Sequence, residues 1–295
     1  MNHFTIRDIE NLCGIKAHTL RIWEQRYKFF VPKRKKSQHR IYDNDDLKKL
    51  LRISFLYHNG YKISKIAELS TGQIHQLVEE SGMQDNNHEI FIHQLIEAGL
   101  DFDKDKFEII VNCLALRIGI EKCITEIFYP FLQRIGLLWM TNNVIPAQEH
   151  FVSQIIRNKI IVATDGLEVS NNAGTNVLVF TPTGEFHEIP ILVVNYFLRK
   201  HNNRTVYFGV NVSKESLNYY MQYHTVTHLY AHIITHLNNS YMDDYISDLC
   251  KKFPDKKIII SGPAVRSIET KPANLQVLSS VAEMISFTKA TAALI

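Results

Sequence analysis

From Phe4 to Leu69 the apolar positions recur three and four residues apart in short bursts, each fenced by a cap or a breaker. Thr5-Ile6-Arg7-Asp8 starts a short helix with a Thr cap and an acid three residues on, and Ile6, Ile9 and Leu12 give it a stripe. Gly14 allows a turn. A second helix runs from about Lys16 to Arg26, with Leu20 and Trp23 facing a small core and His18, Thr19, Arg21 and Arg26 left outside. Pro32 ends this helical region and starts a basic hairpin, closing at Arg40-Ile41-Tyr42, that cannot bury itself. Asp43-Asn44-Asp45-Asp46 caps a third helix with Leu47, Leu50, Leu51, Ile53, Phe55 and Leu56 as its apolar positions; Gly60 stops it, and Ile63 to Leu69 makes a fourth.

Residues 71–88 are polar and weakly patterned, which predicts a linker with one short helix. From Glu89 to Gly166 the period is helical again, through Phe91, Leu95 and Ile96, then Phe107, Ile110, Val111 and Leu114, then Ile120, Ile124, Ile127, Phe128, Phe131 and Leu132. A last helix starts at Pro146 and passes Ile156 to Val162. Four antiparallel helices with short connections predict a bundle. Beyond Gly174 the period changes. Short apolar runs at 177–180, 206–210, 229–234, 258–260 and 275–278 alternate with helical segments at 189–200, 214–223, 240–252 and 281–294. That alternation predicts βαβ units and a parallel, flavodoxin-like sheet. The expected organisation is a winged helix-turn-helix over 1–72, a linker over 73–88, a four-helix bundle over 89–170 and a parallel α/β domain over 171–295.

Charge sharpens this partition. The 295-residue chain has a net charge of +3, but residues 1–76 hold fifteen Lys/Arg against seven Asp/Glu, so the front carries +8 and the remainder −5. Between residues 21 and 40 the cations are Arg21, Arg26, Lys28, Lys33, Arg34, Lys35, Lys36 and Arg40, and the only acid is Glu24. Such clustering on a short helix and loop is the electrostatic footprint of a surface that lies on phosphates. The four cysteines show no Cys-x-x-Cys spacing, so reduced thiols in a cytoplasmic protein are expected rather than a zinc or disulfide framework. No run of about 18 apolar residues could span a bilayer, and MNHFTIRDIE lacks the layout of a secretion signal.

Residues 4–70 resemble the winged-helix DNA-binding domain of MerR-type transcriptional regulators. The likeness is carried by HTLRIWEQRY, the basic wing, and Arg40, Tyr42, Asp46 and Leu47 in R-x-Y-x-x-x-D-L. In such heads the second helix enters the major groove and the wing reaches adjacent backbone. The resemblance implies DNA contacts by Arg21, Arg26, Arg40 and Tyr42, with Lys33, Arg34, Lys35 and Lys36 on flanking phosphates; His18 and Thr19 share the outward face. It also implies a two-fold operator bound by a homodimer or homotetramer.

Within the bundle, nine residues separate Trp139 from Glu149-His150. Taken singly these are a core plug, a surface acid and a core histidine. Together they resemble the Trp-nine-Glu-His signature of the CarH and LitR group, MerR-type photoreceptors that use adenosylcobalamin. In that group the three residues line the face that covers the cofactor's adenosyl group, an indole lid with two hydrogen-bonding neighbours.

The loop after the first α/β strand, Thr181 to Pro190, resembles the Asp/Glu-x-His-x-x-Gly motif of cobalamin-binding domains. Glu185 matches the acid and His187 the lower axial ligand of cobalt. The motif's glycine is Pro190 here, a residue with fixed φ and no amide donor. Ser261-Gly262 stands where the family has the Gly-Gly that lines the nucleotide-tail groove, and Met140 where some of these photoreceptors place a second cobalt-binding histidine.

Three functions are weighed. The first is a one-component transcriptional regulator whose cobalamin-type sensor controls assembly or DNA binding, in response to light if adenosylcobalamin is the cofactor. The second keeps the head but has an α/β domain that has lost cobalamin and binds a protein partner or another ligand; Pro190 favours it. The third, a cobalamin-dependent enzyme, needs a substrate-binding barrel for which the chain has no room. Histidines 224, 228, 232 and 236 lack metal-ligand spacing, and no Ser-His-Asp set or phosphate-binding glycine loop stands out.

Overall fold

The structure is a computed structural model, and it describes residues 3–27, 33–34, 40–84, 88–140, 145–168, 175–234, 239–265 and 272–292. The chain divides into two compact units, Met1–Ile156 and Arg157–Ile295.

In the first unit Thr5 caps α1 (Ile6–Cys13) through a reciprocal box: its hydroxyl accepts from the Asp8 amide, and the Asp8 carboxylate accepts from the Thr5 amide at 2.7 Å. In α2 (Ala17–Tyr27), Leu20 and Trp23 turn inward, and Trp23 meets Tyr57 edge-to-face at 5.0 Å. A two-stranded antiparallel ribbon follows, β1 (Lys33–Arg34) against β2 (Arg40–Ile41). Asp43 caps α3 (Asn44–His58) with a second box through Asp46, and α4 (Ile63–Ile66) closes the head.

The stretch expected to be a linker with one short helix carries a 14-residue helix, α5 (Thr71–Gln84), packed on α3. Among its described side chains the buried hydrophobics are Ile74 and Val78, one turn apart. So thin a stripe is hard to tell from a polar connector until its partner surface is known. Beyond it come α6 (His88–Leu100), α7 (Lys104–Ile118) and α8 (Ile120–Lys122), which runs through a π-helical turn at Cys123–Phe128 into α9 (Tyr129–Met140). The last of these helices is α10 (Pro146–Asp165). Phe107 packs against Phe131 and Phe151 at 5.6 and 6.4 Å. A Cβ on Gly99 would stand 2.7 Å from Val152 Cγ1, so a glycine is what lets α6 and α10 approach.

Head and helices share this unit because α3 is bridged to the end of α6. Arg52 Nη2 reaches Glu97 Oε2 at 2.7 Å, and Lys48 Nζ reaches Asp101 Oδ1 at 2.6 Å.

The second unit is a sheet of five parallel strands: β3 (Asn176–Pro182), β4 (Arg204–Val212), β5 (His228–His232), β6 (Lys257–Ser261) and β7 (Leu275–Leu278). Their spatial order is β4-β3-β5-β6-β7, so the second strand lies outside the first and the later ones continue on the other side. This is the doubly wound order of flavodoxin-like domains, with its switch point beside β3. Leu178, Phe180, Leu229, Ala231, Ile258 and Ile260 pack on one face with residues of α12 (Lys214–Tyr223) and α13 (Asn239–Lys252). On the other face α11 (Ile189–Lys200) packs with α14 (Val281–Ala292), and Tyr230 stacks on Phe287. Burial on both faces explains the unbroken apolar runs of these strands. Among the described residues no helix is long and apolar enough to cross a membrane.

Candidate functional site

The basic face of the head is built by α2. With Leu20 and Trp23 buried, helical geometry turns His18, Arg21, Ile22, Gln25 and Arg26 outward, all of them exposed. Thr19 lies at the edge, its hydroxyl 3.3 Å from His18 Nε2, and the Arg26 guanidinium rests over the Tyr27 ring. Ile22, 45% exposed, and Gln25 are members of this face that charge-based reading passed over. Gln25 falls seven residues after His18, and that spacing was the signal.

Arg40 is engaged within the protein. Its Nε donates to Glu24 Oε2 at 2.6 Å and ties β2 to α2. Tyr42 corrects the expectation of a DNA contact, since its side chain is 0% exposed. Its backbone pairs with Phe4 in both directions, at 2.8 and 2.9 Å, and burial pushes its hydroxyl up to about 12. An aromatic beside a basic wing looks like a surface reader in one dimension, yet the head needs its ring as core. Lys33 and Arg34 stand on β1, with their side chains outside the described set, and Lys35 and Lys36 lie outside the described residues altogether.

On α10, Glu149 and His150 are adjacent. His150 Nδ1 is 3.1 Å from Glu149 Oε2, and Ser153 donates to Glu149 Oε1 at 2.5 Å. Trp139 is on α9 and its side chain is outside the described set.

In the second unit the loop after β3 presents Glu185 and His187. Its backbone is pinned to the end of β4: Gly184 N–H donates to Asn211 Oδ1 at 2.8 Å, and Asn211 N–H donates to the Glu185 carbonyl at 3.2 Å. The Glu185 side chain is 1% exposed and fully employed. One oxygen accepts from His187 Nδ1 at 2.5 Å and from the His187 amide at 3.0 Å; the other accepts from the Ile234 amide at 2.7 Å. A buried carboxylate needs such partners, and this one rotates the imidazole and fixes Nδ1 as the protonated nitrogen. The nitrogen a metal would take is then Nε2, on a side chain that is 45% exposed. The donor set therefore fits an axial ligand of a corrinoid cobalt.

Pro190 is the second residue of α11, a first-turn position that has no helical partner for an amide. Ser261 Oγ lies 2.5 Å from the Tyr230 hydroxyl and 2.7 Å from His232 Nδ1, a hydrogen-bonded knot that motif reading did not anticipate. Burial holds His232 down at about 4, with Glu185 opposing and His187 reinforcing the shift. Gly262 has φ of 112°, and a Cβ there would lie 2.1 Å from the Ile233 carbonyl oxygen. The glycine answers to neighbouring backbone. Among the described residues no group of three or more His, Cys, Asp or Glu could hold a metal ion by itself.

A basic helical head and a doubly wound domain that presents a carboxylate-braced histidine define a DNA-binding regulator with a ligand-sensing module. Comparison with known proteins agrees. Residues 4–73 match the MerR HTH family of regulatory proteins, and residues 91–163 match the B12 binding domain family. The HTH-type transcriptional repressors CarH and CarA of Myxococcus xanthus are each 24% identical, over 72% of this chain and 73% and 70% of their own lengths. The transcriptional regulator MlrA of Escherichia coli is 31% identical over 24% of this chain and 29% of its own. Among solved structures, the monomethylamine corrinoid protein of Methanosarcina barkeri superposes with a TM-score of 0.54 at 16% identity, covering 66% of this chain and 95% of that one. The chain thus carries one segment that matches the MerR HTH family and a second that matches the B12 binding domain family.

Proposed function

We propose that the protein is a one-component, non-enzymatic cytoplasmic regulator that binds a two-fold DNA operator as a homodimer or homotetramer and senses a cobalamin through its second unit. The α2 face, with His18, Thr19, Arg21 and Arg26, enters the major groove, and the ribbon acts as a wing whose Lys33, Arg34, Lys35 and Lys36 lie on flanking phosphates. Arg40 braces the wing against α2 through Glu24. Helices α6 to α10 act as the four-helix cap of the sensor, with Trp139, Glu149 and His150 toward the adenosyl side.

The observation that carries this reading is the Glu185–His187 pair, with Nδ1 bonded to a buried carboxylate at 2.5 Å. It holds the imidazole by Nδ1 and leaves Nε2 as the nitrogen that could ligate cobalt. Adenosylcobalamin, when bound, supplies a cobalt–carbon bond that light can break, which would make the regulator light-responsive. Mixing the purified protein with adenosylcobalamin in the dark, desalting and recording an absorption spectrum tests it. The expected result is a coloured protein whose spectrum changes on illumination and which loses histidine ligation in His187→Ala. A colourless protein ends the cobalamin reading.

A second reading keeps the head and gives the α/β domain a protein partner or another ligand. The Tyr230–Ser261–His232 knot favours it, because side chains fill the place where the resemblance puts a Gly-Gly groove. Under that reading the spectrum stays colourless while the protein still retards promoter DNA.

A further inference from the structure

The carboxylate that follows the candidate ligand is held from two sides. Glu188 stands directly after His187 and directly before α11. Its Oε2 accepts from Arg157 Nε at 2.5 Å, and its Oε1 accepts from the Tyr207 hydroxyl at 3.1 Å. Arg157 belongs to α10 and Tyr207 to β4, so three separate elements meet on one side chain. The Glu188 carbonyl is committed as well, accepting from the Ile191 and Leu192 amides at 3.1 Å. The hydrogen bond to Glu188 raises Arg157 above its ordinary value; burial, then the Glu188 charge, pushes the Tyr207 hydroxyl up.

The two carboxylates of this loop do different things. Glu185 bonds the imidazole itself and sets its rotation. Glu188 anchors the backbone one residue later, and that anchor sets how far the ring stands from the sheet. We propose that Glu188, clamped by Arg157 and Tyr207, is a positioning residue for His187 that fixes the depth at which Nε2 meets an axial partner. This rests on the cobalamin reading above for the identity of that partner. Arg157 also lies seven residues, about two turns, beyond His150 on the same face of α10. The clamp thus anchors the ligand loop to the Arg157 end of α10.

The test uses the full-length protein and the variants Arg157→Gln, Arg157→Lys, Glu188→Gln and Tyr207→Phe, each checked for an unchanged far-ultraviolet circular dichroism spectrum. Affinity for adenosylcobalamin is titrated in the dark, and histidine ligation is read from the absorption spectrum and from nitrogen hyperfine structure of the cobalt(II) form. Outer-shell partners of metal ligands typically change affinity about 10–100-fold. Arg157→Gln and Glu188→Gln should therefore bind about tenfold or more weakly with a reduced histidine-ligated fraction, Tyr207→Phe less so, and Arg157→Lys should recover part of the loss. Wild-type affinity and spectrum in both Arg157→Gln and Glu188→Gln would overturn the proposal. Amide hydrogen exchange over residues 185–191 of the cobalamin-free proteins decides it independently. Faster exchange in those two variants supports the clamp, and unchanged protection removes it. Wild-type protein that takes up no corrinoid refutes the cobalamin reading alone, since the exchange result still stands.

Discussion

The α2 face and the His187 loop handle charge in opposite ways. On α2 the cations stand out in water, and the interior asks of them only that Leu20 and Trp23 point inward. In the loop the charge is withdrawn: Glu185 is buried, takes three donors and passes orientation to one imidazole. A polyanion with a charge every few ångströms tolerates such loose placement, because counterion release rewards charge more than angle. A metal–imidazole bond does not tolerate it, because a single lone pair must face the metal. Where a partner is diffuse the protein spends spacing, and where it is a point it spends buried hydrogen bonds.

The largest expected effect tests this contrast directly. Operator binding should weaken with salt at a log–log slope of about −0.9 per phosphate contact, which is roughly an eightfold loss per contact for a tenfold rise in salt. Corrinoid uptake by the same protein should stay flat over that range. Gel retardation and spectral titration at matched salt check both, and a steep salt dependence of uptake would erase the distinction.

Next comes Gly262→Ala, which places a Cβ against the Ile233 carbonyl in a backbone of φ 112°. Clash and strain together should cost the second unit about 3 kcal/mol or more, seen in thermal unfolding, while DNA retardation by the head is retained.

Acid should come third. Burial, helped by Arg134 and opposed by Glu89, holds His93 near 4, and His232 is held at a similar value in the second unit. Both are depressed below 6.5, so the unfolded chain binds the extra protons first. Their stabilisation is complete above about pH 6.5 and is lost as pH falls toward 4, by up to about 3 kcal/mol for His93. Denaturant midpoints at pH 7 and pH 5 measure the loss, and His93→Gln should flatten it in the first unit.

The smallest effect is Arg40→Ala. Removing its pair with Glu24, a half-shielded contact at 2.6 Å, should cost on the order of 1 kcal/mol of stability. DNA binding should weaken about evenly across sequences, since a brace for the wing reads no base. A loss confined to certain operators would make Arg40 a base reader.

Much of this protein was legible in its residues taken in order. Thr5 with Asp8 and Asp43 with Asp46 announce two helix starts that form as capped boxes. The switch from helical period to short apolar runs announces the five parallel strands, and Glu-x-His marks the loop at the switch point. These signals are local, because caps and periodicities act within a few residues, and a chain read in one dimension carries them intact.

What only the tertiary structure decided depends on partners far away in sequence. Tyr42 went inward because the core needed its ring beside Phe4, and 71–84 became a helix because α3 offered Ile74 and Val78 a surface. Glu188 acquired a meaning through Arg157 and Tyr207, 31 and 19 positions away. Ser261 lies against a tyrosine and a histidine 31 and 29 residues off. Hydrogen bonds and burial between distant segments are set by how the elements pack, and no spacing within the sequence records which side chain will find which.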